Sequence, residues 1–134
     1  MRYLTLVAAS AGFALSLAAP VQAQDAEAGA NVFKRCQACH KVGEGAKNGI
    51  GPQLNGVFSE KPGVAEGYNF SPAFTEWAAD KEEWSDELMS TWLADPRGTV
   101  KGTKMAFAGL KKQEDLDNVI AYLKTFNADG TTAQ

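Results

Sequence analysis

Cys36-Gln37-Ala38-Cys39-His40 is the stretch that decides how this chain is read. It gathers both cysteines and the single histidine of a 134-residue protein into five consecutive positions. A zinc site built from several Cys and His residues, or a metal site with two histidines, has nothing to be assembled from. In an oxidising compartment two cysteines can simply close a disulfide. A Cys-x-x-Cys pair can also be a dithiol redox site at a helix start that follows a strand. Neither reading accounts for the adjacent histidine, and the flanking residues lack the strand pattern. The five positions together match the attachment sequence of a c-type haem. Two thiols at a fixed separation add to the two vinyl groups of the cofactor, and the neighbouring imidazole coordinates iron on one face. The expectation is one haem c, bound covalently through Cys36 and Cys39, with His40 as an iron ligand.

Upstream, Met1-Arg2 supplies a short positive start and residues 4–19 are almost wholly apolar or small. Val21-Gln22-Ala23 then offers a small-residue cleavage site, which completes the pattern of a secretory signal peptide. As a spanning helix the run is short, and Ser10, Gly12, Ser16 and Pro20 break it. Residues 1–23 are therefore expected to be cleaved, leaving a single periplasmic domain over 24–134 with 127–134 as a flexible C-terminal tail. Losing Arg2 takes the formal net charge from −3 to −4. With 45% hydrophobic and 22% charged residues, the composition is that of an ordinary globular domain, which excludes collagen-like, disordered and disulfide-mesh classes. An acidic exported protein is also a poor partner for nucleic acid.

Downstream and around the pentapeptide the pattern is helical, with loops between. Asp25 caps a first helix reaching to about Cys36, with Ala26, Ala30 and Phe33 on one face. Residues 41–70 are rich in Gly, Asn and Pro and read as loop. Ser71-Pro72 opens a short helix carrying Phe74 and Trp77. Ser85 caps another with Met89, Trp92 and Leu93 at helical spacing, and Pro96 ends it. Leu116, Val119, Ile120 and Leu123 repeat at i, i+3, i+4, i+7 in a last helix. So long a loop in so small a domain normally counts against an assignment. A haem removes the objection, because the cofactor fills volume that apolar side chains otherwise occupy and the loops wrap it.

The iron needs a ligand on its other face, and no second histidine exists. Met89 sits at a core spacing on a helix, where packing is the ordinary role. Met105 sits in Lys101-Gly102-Thr103-Lys104-Met105-Ala106-Phe107-Ala108-Gly109, a polar, glycine-punctuated loop, and is assigned as the sixth ligand. A thioether opposite an imidazole favours ferrous iron and raises the reduction potential. With both axial positions filled, the pattern points to electron transfer. A small haem enzyme such as a peroxidase is the competing class and requires an open or easily vacated iron face. A dithiol oxidoreductase is a more distant third.

Cys36 to His40, Gly51-Pro52-Gln53-Leu54-Asn55-Gly56, Gly67-Tyr68, Trp84, Gly102-Thr103-Lys104-Met105 and Ile120-Ala121-Tyr122-Leu123-Lys124 occur in this order. Together they resemble class I cytochrome c, cytochrome c2 type, a relative of mitochondrial cytochrome c, over residues 25–126. The resemblance implies an all-α fold of about four to five helices and long loops around one haem. Its first and last helices would cross near Gly29, Phe33, Val119 and Tyr122. It implies that the Pro52 carbonyl accepts a hydrogen bond from the iron-bound His40, a contact that fixes the ring and raises its basicity. It places Leu54, Tyr68, Trp84, Trp92 and Phe107 around the cofactor, with Trp84 on a propionate. Three positions depart from the family pattern and bear on the potential. Trp92 stands where a tyrosine usually approaches the methionine sulfur, Phe70 where a tyrosine often bonds a propionate, and Glu60 where an arginine is frequent.

Charge is uneven along the chain. Arg97, Lys101, Lys104, Lys111 and Lys112 form one basic stretch, and Lys34, Arg35, Lys41 and Lys47 another, whereas residues 76–87 carry six acids against Lys81. In the class I fold both basic stretches would rim the exposed haem edge and orient the protein on an acidic partner. The expectation is a monomeric periplasmic carrier of one electron. Its donor would be a membrane cytochrome bc complex, and its acceptor a photosynthetic reaction centre or a terminal oxidase of a respiratory chain.

Overall fold

A computed structural model describes residues 25–133, so the expected signal peptide lies outside the described residues. Five α-helices follow in order: α1 Ala26–Phe33, α2 Pro72–Ala78, α3 Asp86–Ala94, α4 Pro96–Thr99 and α5 Gln113–Lys124. A 3₁₀ turn spans Val57–Ser59 within the long loop. Among the described residues the only β feature is an isolated antiparallel bridge between Phe126 and Thr132. No described helix is long and apolar enough to cross a membrane.

Each helix start has a local cause. The Asp25 carboxylate accepts from the amides of Glu27 and Ala28, and Ser71 and Ser85 cap α2 and α3 through Phe74 and Leu88. Pro96 ends α3 and at once becomes the first residue of α4, a single turn that Asp95 caps through the Gly98 amide. In α5, Glu114 and Asp115 at the start and Lys124 at the end complement the helix dipole, and Lys124 pairs with Asp86 of α3.

Helices α1 and α5 form the main packing unit, burying Phe33, Val119, Ile120 and Leu123. Their closest approach is at Gly29, where an added Cβ would stand 2.6 Å from the Asn118 carbonyl carbon and 2.7 Å from Tyr122 Cβ. Only glycine permits that spacing. The Phe33 and Tyr122 rings pack 5.4 Å apart across the crossing, where the sequence places it.

Two boundaries differ from expectation. Helix α1 stops at Phe33, and residues 34–39 continue as tight turns held by bonds from Arg35 to Val32 and from Cys36 to Phe33. Residues 127–133, read from sequence as tail, fold back as a hydrogen-bonded turn: Asn127 N–H donates to Thr131, Gly130 N–H to Asn127 and Ala133 N–H to Thr125.

Candidate haem site

The turn that follows α1 builds the site. The Cys36 carbonyl accepts both the Cys39 amide at 3.1 Å and the His40 amide at 2.9 Å, which winds the pentapeptide into one compact turn. Both cysteines are half-buried. Burial pushes the Cys36 thiol up to about 11, against the smaller opposing pull of the Arg35 charge.

The His40 ring lies against the loop that follows. Its Nδ1 is 2.7 Å from the Pro52 carbonyl, a bond in which the ring N–H is the donor. Desolvation pulls the imidazole below its ordinary pKa, and the Pro52 contact opposes this less strongly. The neutral ring with Nδ1 protonated leaves Nε2 as the free lone pair, the form a metal ligand requires. Gly51, unnoticed as a separate requirement in the sequence, is what lets the ring in. A Cβ there would press on Cε1 and stand 2.8 Å from both ring nitrogens. The loop is closed by Gly51 N–H to Cys39, Leu54 N–H to Lys41, and the buried Asn55 amide, which bonds Gly43 at both N–H and carbonyl.

One cavity of about 380 Å3 collects these groups, a size within the range of small-molecule and cofactor sites. Cys36, Cys39, His40, Pro52 and Leu54 line it together with Tyr68, Trp84, Trp92, Met105 and Phe107, so all ten residues assigned from the sequence converge there. Met105 is half-buried on its wall, and Met89, buried in α3, lines it as well. Both thiols, one imidazole and two thioethers in an otherwise largely apolar cleft fit a covalently held haem.

Aromatic side chains make one wall. Phe70 stacks on Phe74 at 5.1 Å, Trp92 meets Phe74 edge-on at 5.0 Å, and Trp77 stacks behind Trp92 at 5.8 Å. Phe74 and Met89 were legible in the sequence only as helical core residues, because a core position and a cavity wall are equally apolar. Tyr68 donates its hydroxyl to the Ile50 carbonyl at 2.9 Å, which commits that group to the loop. Glu60 also lines the cavity, and burial holds its carboxyl above the ordinary glutamate value. The Trp84 amide bonds the Glu60 carbonyl and ties the start of α3 to this point.

The Cytochrome c family model matches residues 26–127. The chain belongs to the cytochrome c family. It is 54% identical over 103 residues to cytochrome c-550 of Ancylobacter novellus, covering 77% of this chain and 96% of that one. It is 44% identical over 113 residues to cytochrome c2 of Blastochloris viridis, covering 84% and 87% of the two chains. The solved structure of cytochrome c2 from Rhodospirillum centenum superposes with a TM-score of 0.72 at 34% identity, covering 77% of this chain and 98% of that one. As a class I c-type cytochrome of c2 type, this protein carries one haem c attached through Cys36 and Cys39. It is an electron-transfer protein rather than an enzyme.

Lys34, Lys41, Lys47, Arg97, Lys101, Lys104, Lys111 and Lys112 are all exposed. Lys104 lines the cavity mouth, donates to the Asn69 carbonyl and lies over the Tyr68 ring. Ile50 and Val64, 77% and 50% exposed, stand on the same cavity rim.

Proposed function

We propose that this protein is a soluble periplasmic carrier of one electron, with His40 and Met105 as axial ligands of its haem iron. The observation that carries the reading is the convergence of both thiols, the Pro52-bonded imidazole and the Met105 loop on one cavity. Bound haem supplies a one-electron ferric–ferrous couple. The chain's own part is to hold, tune and insulate. Cys36 and Cys39 anchor; Pro52 fixes the tautomer and orientation of His40; the wall formed by Phe70, Phe74, Trp84 and Trp92 keeps water from the cofactor.

The donor in this reading is a membrane cytochrome bc complex, and the acceptor a photosynthetic reaction centre or a terminal oxidase. The relatives named cytochrome c2 support that assignment. Arg97, Lys101, Lys104, Lys111 and Lys112, with Lys34, Lys41 and Lys47, steer the monomer onto an acidic partner surface. Contacts of this kind are small and short-lived.

Ligation is tested by substitution. Met105→Ala is expected to keep the haem attached, abolish the weak near-infrared sulfur-to-iron band, lower the potential and admit exogenous ligands. Met89→Leu keeps the band and costs under about 1.5 kcal/mol of stability, as volume-conserving swaps do. The opposite result, a band lost with Met89 and kept without Met105, exchanges the two assignments.

A further inference from the structure

The C-terminal turn touches the His40-side loop at its neck, and that contact has a glycine on each side. Phe126 accepts a hydrogen bond at 3.1 Å from the Gly56 amide, where the loop ends. Gly56 is so close to the turn that a Cβ would stand 2.8 Å from Ala128 Cα. Gly130, buried and at φ +84°, lies directly on the Gly43 carbonyl, and a Cβ there would stand 2.7 Å from the Glu44 amide nitrogen. Neither glycine can carry a side chain without opening the contact. The turn is itself tied: Asp129 accepts from the Thr131 amide and hydroxyl at 2.9 and 2.7 Å, and Asn127 Nδ2 donates to Thr131 Oγ1 at 2.9 Å.

From this neck a short series of bonds leads to the imidazole. Gly43 is bridged by Asn55 at both backbone groups, at 2.8 and 2.9 Å. Leu54, the next residue back, bonds Lys41, and two residues before it Pro52 accepts from His40. On its other side Pro52 is held through Gly51 N–H to Cys39 and Tyr68 to Ile50, so the series from Gly43 through Asn55 and Leu54 is what fixes the Gly56-side approach to Pro52. The family model matches as far as Asn127, and the turn lies at and beyond that end.

We propose that the turn at 127–133 is a clamp on the neck of the 41–56 loop that positions the Pro52 carbonyl against His40. The inference rests on His40 as an iron ligand. Gly130 and Gly56 are positioning residues in it, acting through Gly43 and Asn55.

The test uses haem-loaded protein ended after Phe126, and separately the full chain with Gly130→Ala, which opens the same contact while keeping the turn's residues. Amide exchange followed by NMR is expected to speed up at Gly43 and Gly56 by about tenfold or more, the loss expected when a local hydrogen-bonded contact opens. The His40 Nδ1–H resonance shifts, and the reduction potential rises, because a weaker acceptor at Nδ1 leaves the ring a poorer electron donor. Val32→Ala, in the buried face of α1, lowers the Tm without these changes and separates positioning from general stability. Unchanged exchange at Gly43 and Gly56 in both variants overturns the clamp. Faster exchange with an unmoved His40 resonance and potential overturns its link to the imidazole. A wild-type spectrum without imidazole ligation is a different failure, that of the proposed ligand set, and leaves the amide result standing.

Discussion

Gly51→Ala puts the smallest possible side chain against the His40 ring. Gly51 has an ordinary negative-side backbone, since it is absent from the glycines at positive φ, so the effect is steric alone. Its Cβ would meet both ring nitrogens at 2.8 Å and Cε1 more closely still. Ordinary contact begins at 3.4 Å, so the ring or the loop must give by at least about 0.6 Å. The Nδ1–Pro52 bond, at 2.7 Å, stretches past the usual limit of about 3.2 Å if the ring backs away from the loop. The ring is not the free end of a flexible chain, because that bond and the turn at Cys36–His40 both hold it. Overpacking costs about 1–3 kcal/mol and a weakened hydrogen bond about 0.5–1.5, while alanine in place of glycine returns about 0.4–1 through the unfolded state. The net is about 0.5–4 kcal/mol, or a Tm lowered by roughly 2–16 °C for a domain of this size. The assay is thermal unfolding of the haem-loaded protein, followed by circular dichroism, with the His40 Nδ1–H resonance recorded alongside. A Tm within about 1 °C of wild type and an unmoved resonance would refute the claim that Gly51 makes room for the imidazole.

Two further outcomes follow from the charges. Association with a membrane partner slows steeply with salt, since exposed charges are screened over about 8–10 Å at physiological ionic strength. Charge reversal at Lys104 or Lys111 slows it more than reversal at Lys81 or Lys124, which lie outside the two basic stretches; equal effects in stopped-flow kinetics leave only net charge. Glu60→Gln removes a carboxyl whose pKa burial raises above its ordinary value of 4.5. A raised acid contributes its stability below that value and loses it as pH rises through the folded pKa, so the variant matches wild type at about pH 4 and exceeds it at about pH 7. Glu60 is only half-buried and solvent screens its carboxyl, so the gain stays within about 0.5 kcal/mol. A gain that is larger at the acid end reverses the sign of the argument.

Much of this architecture is written in local signals. Ser71-Pro72 and Ser85 open α2 and α3 as the sequence predicts, because a cap needs only its own side chain and the next three amides. The Leu116, Val119, Ile120 and Leu123 stripe places α5 for the same reason. Helix α1 reads as too long by about a turn, since nothing in Lys34-Arg35-Cys36 disfavours helix; the bonds that tighten it instead are three-residue turns. Pro96 reads as a stop, although the same fixed φ that ends α3 starts α4. The least legible parts are contacts between distant segments. That Gly51 faces a ring, or that Gly130 rests on Gly43, is invisible in either neighbourhood alone. The ten residues expected around the cofactor do line one cavity, because the family resemblance carries long-range information that periodicity does not.

The three indoles of the chain give it an optical property of its own. Trp77, Trp84 and Trp92 have ring centres 5.8, 5.9 and 6.5 Å apart, and two of them face the cavity. Excitation landing on any one passes to its neighbours and from them to a porphyrin, which absorbs where indole emits. Indole fluorescence of the folded, haem-loaded protein is expected to be weak, and to rise as the chain loosens and its walls move off the pigment. No dye is needed to watch it unfold, and because no tryptophan lies elsewhere in the sequence, the signal reports that one wall.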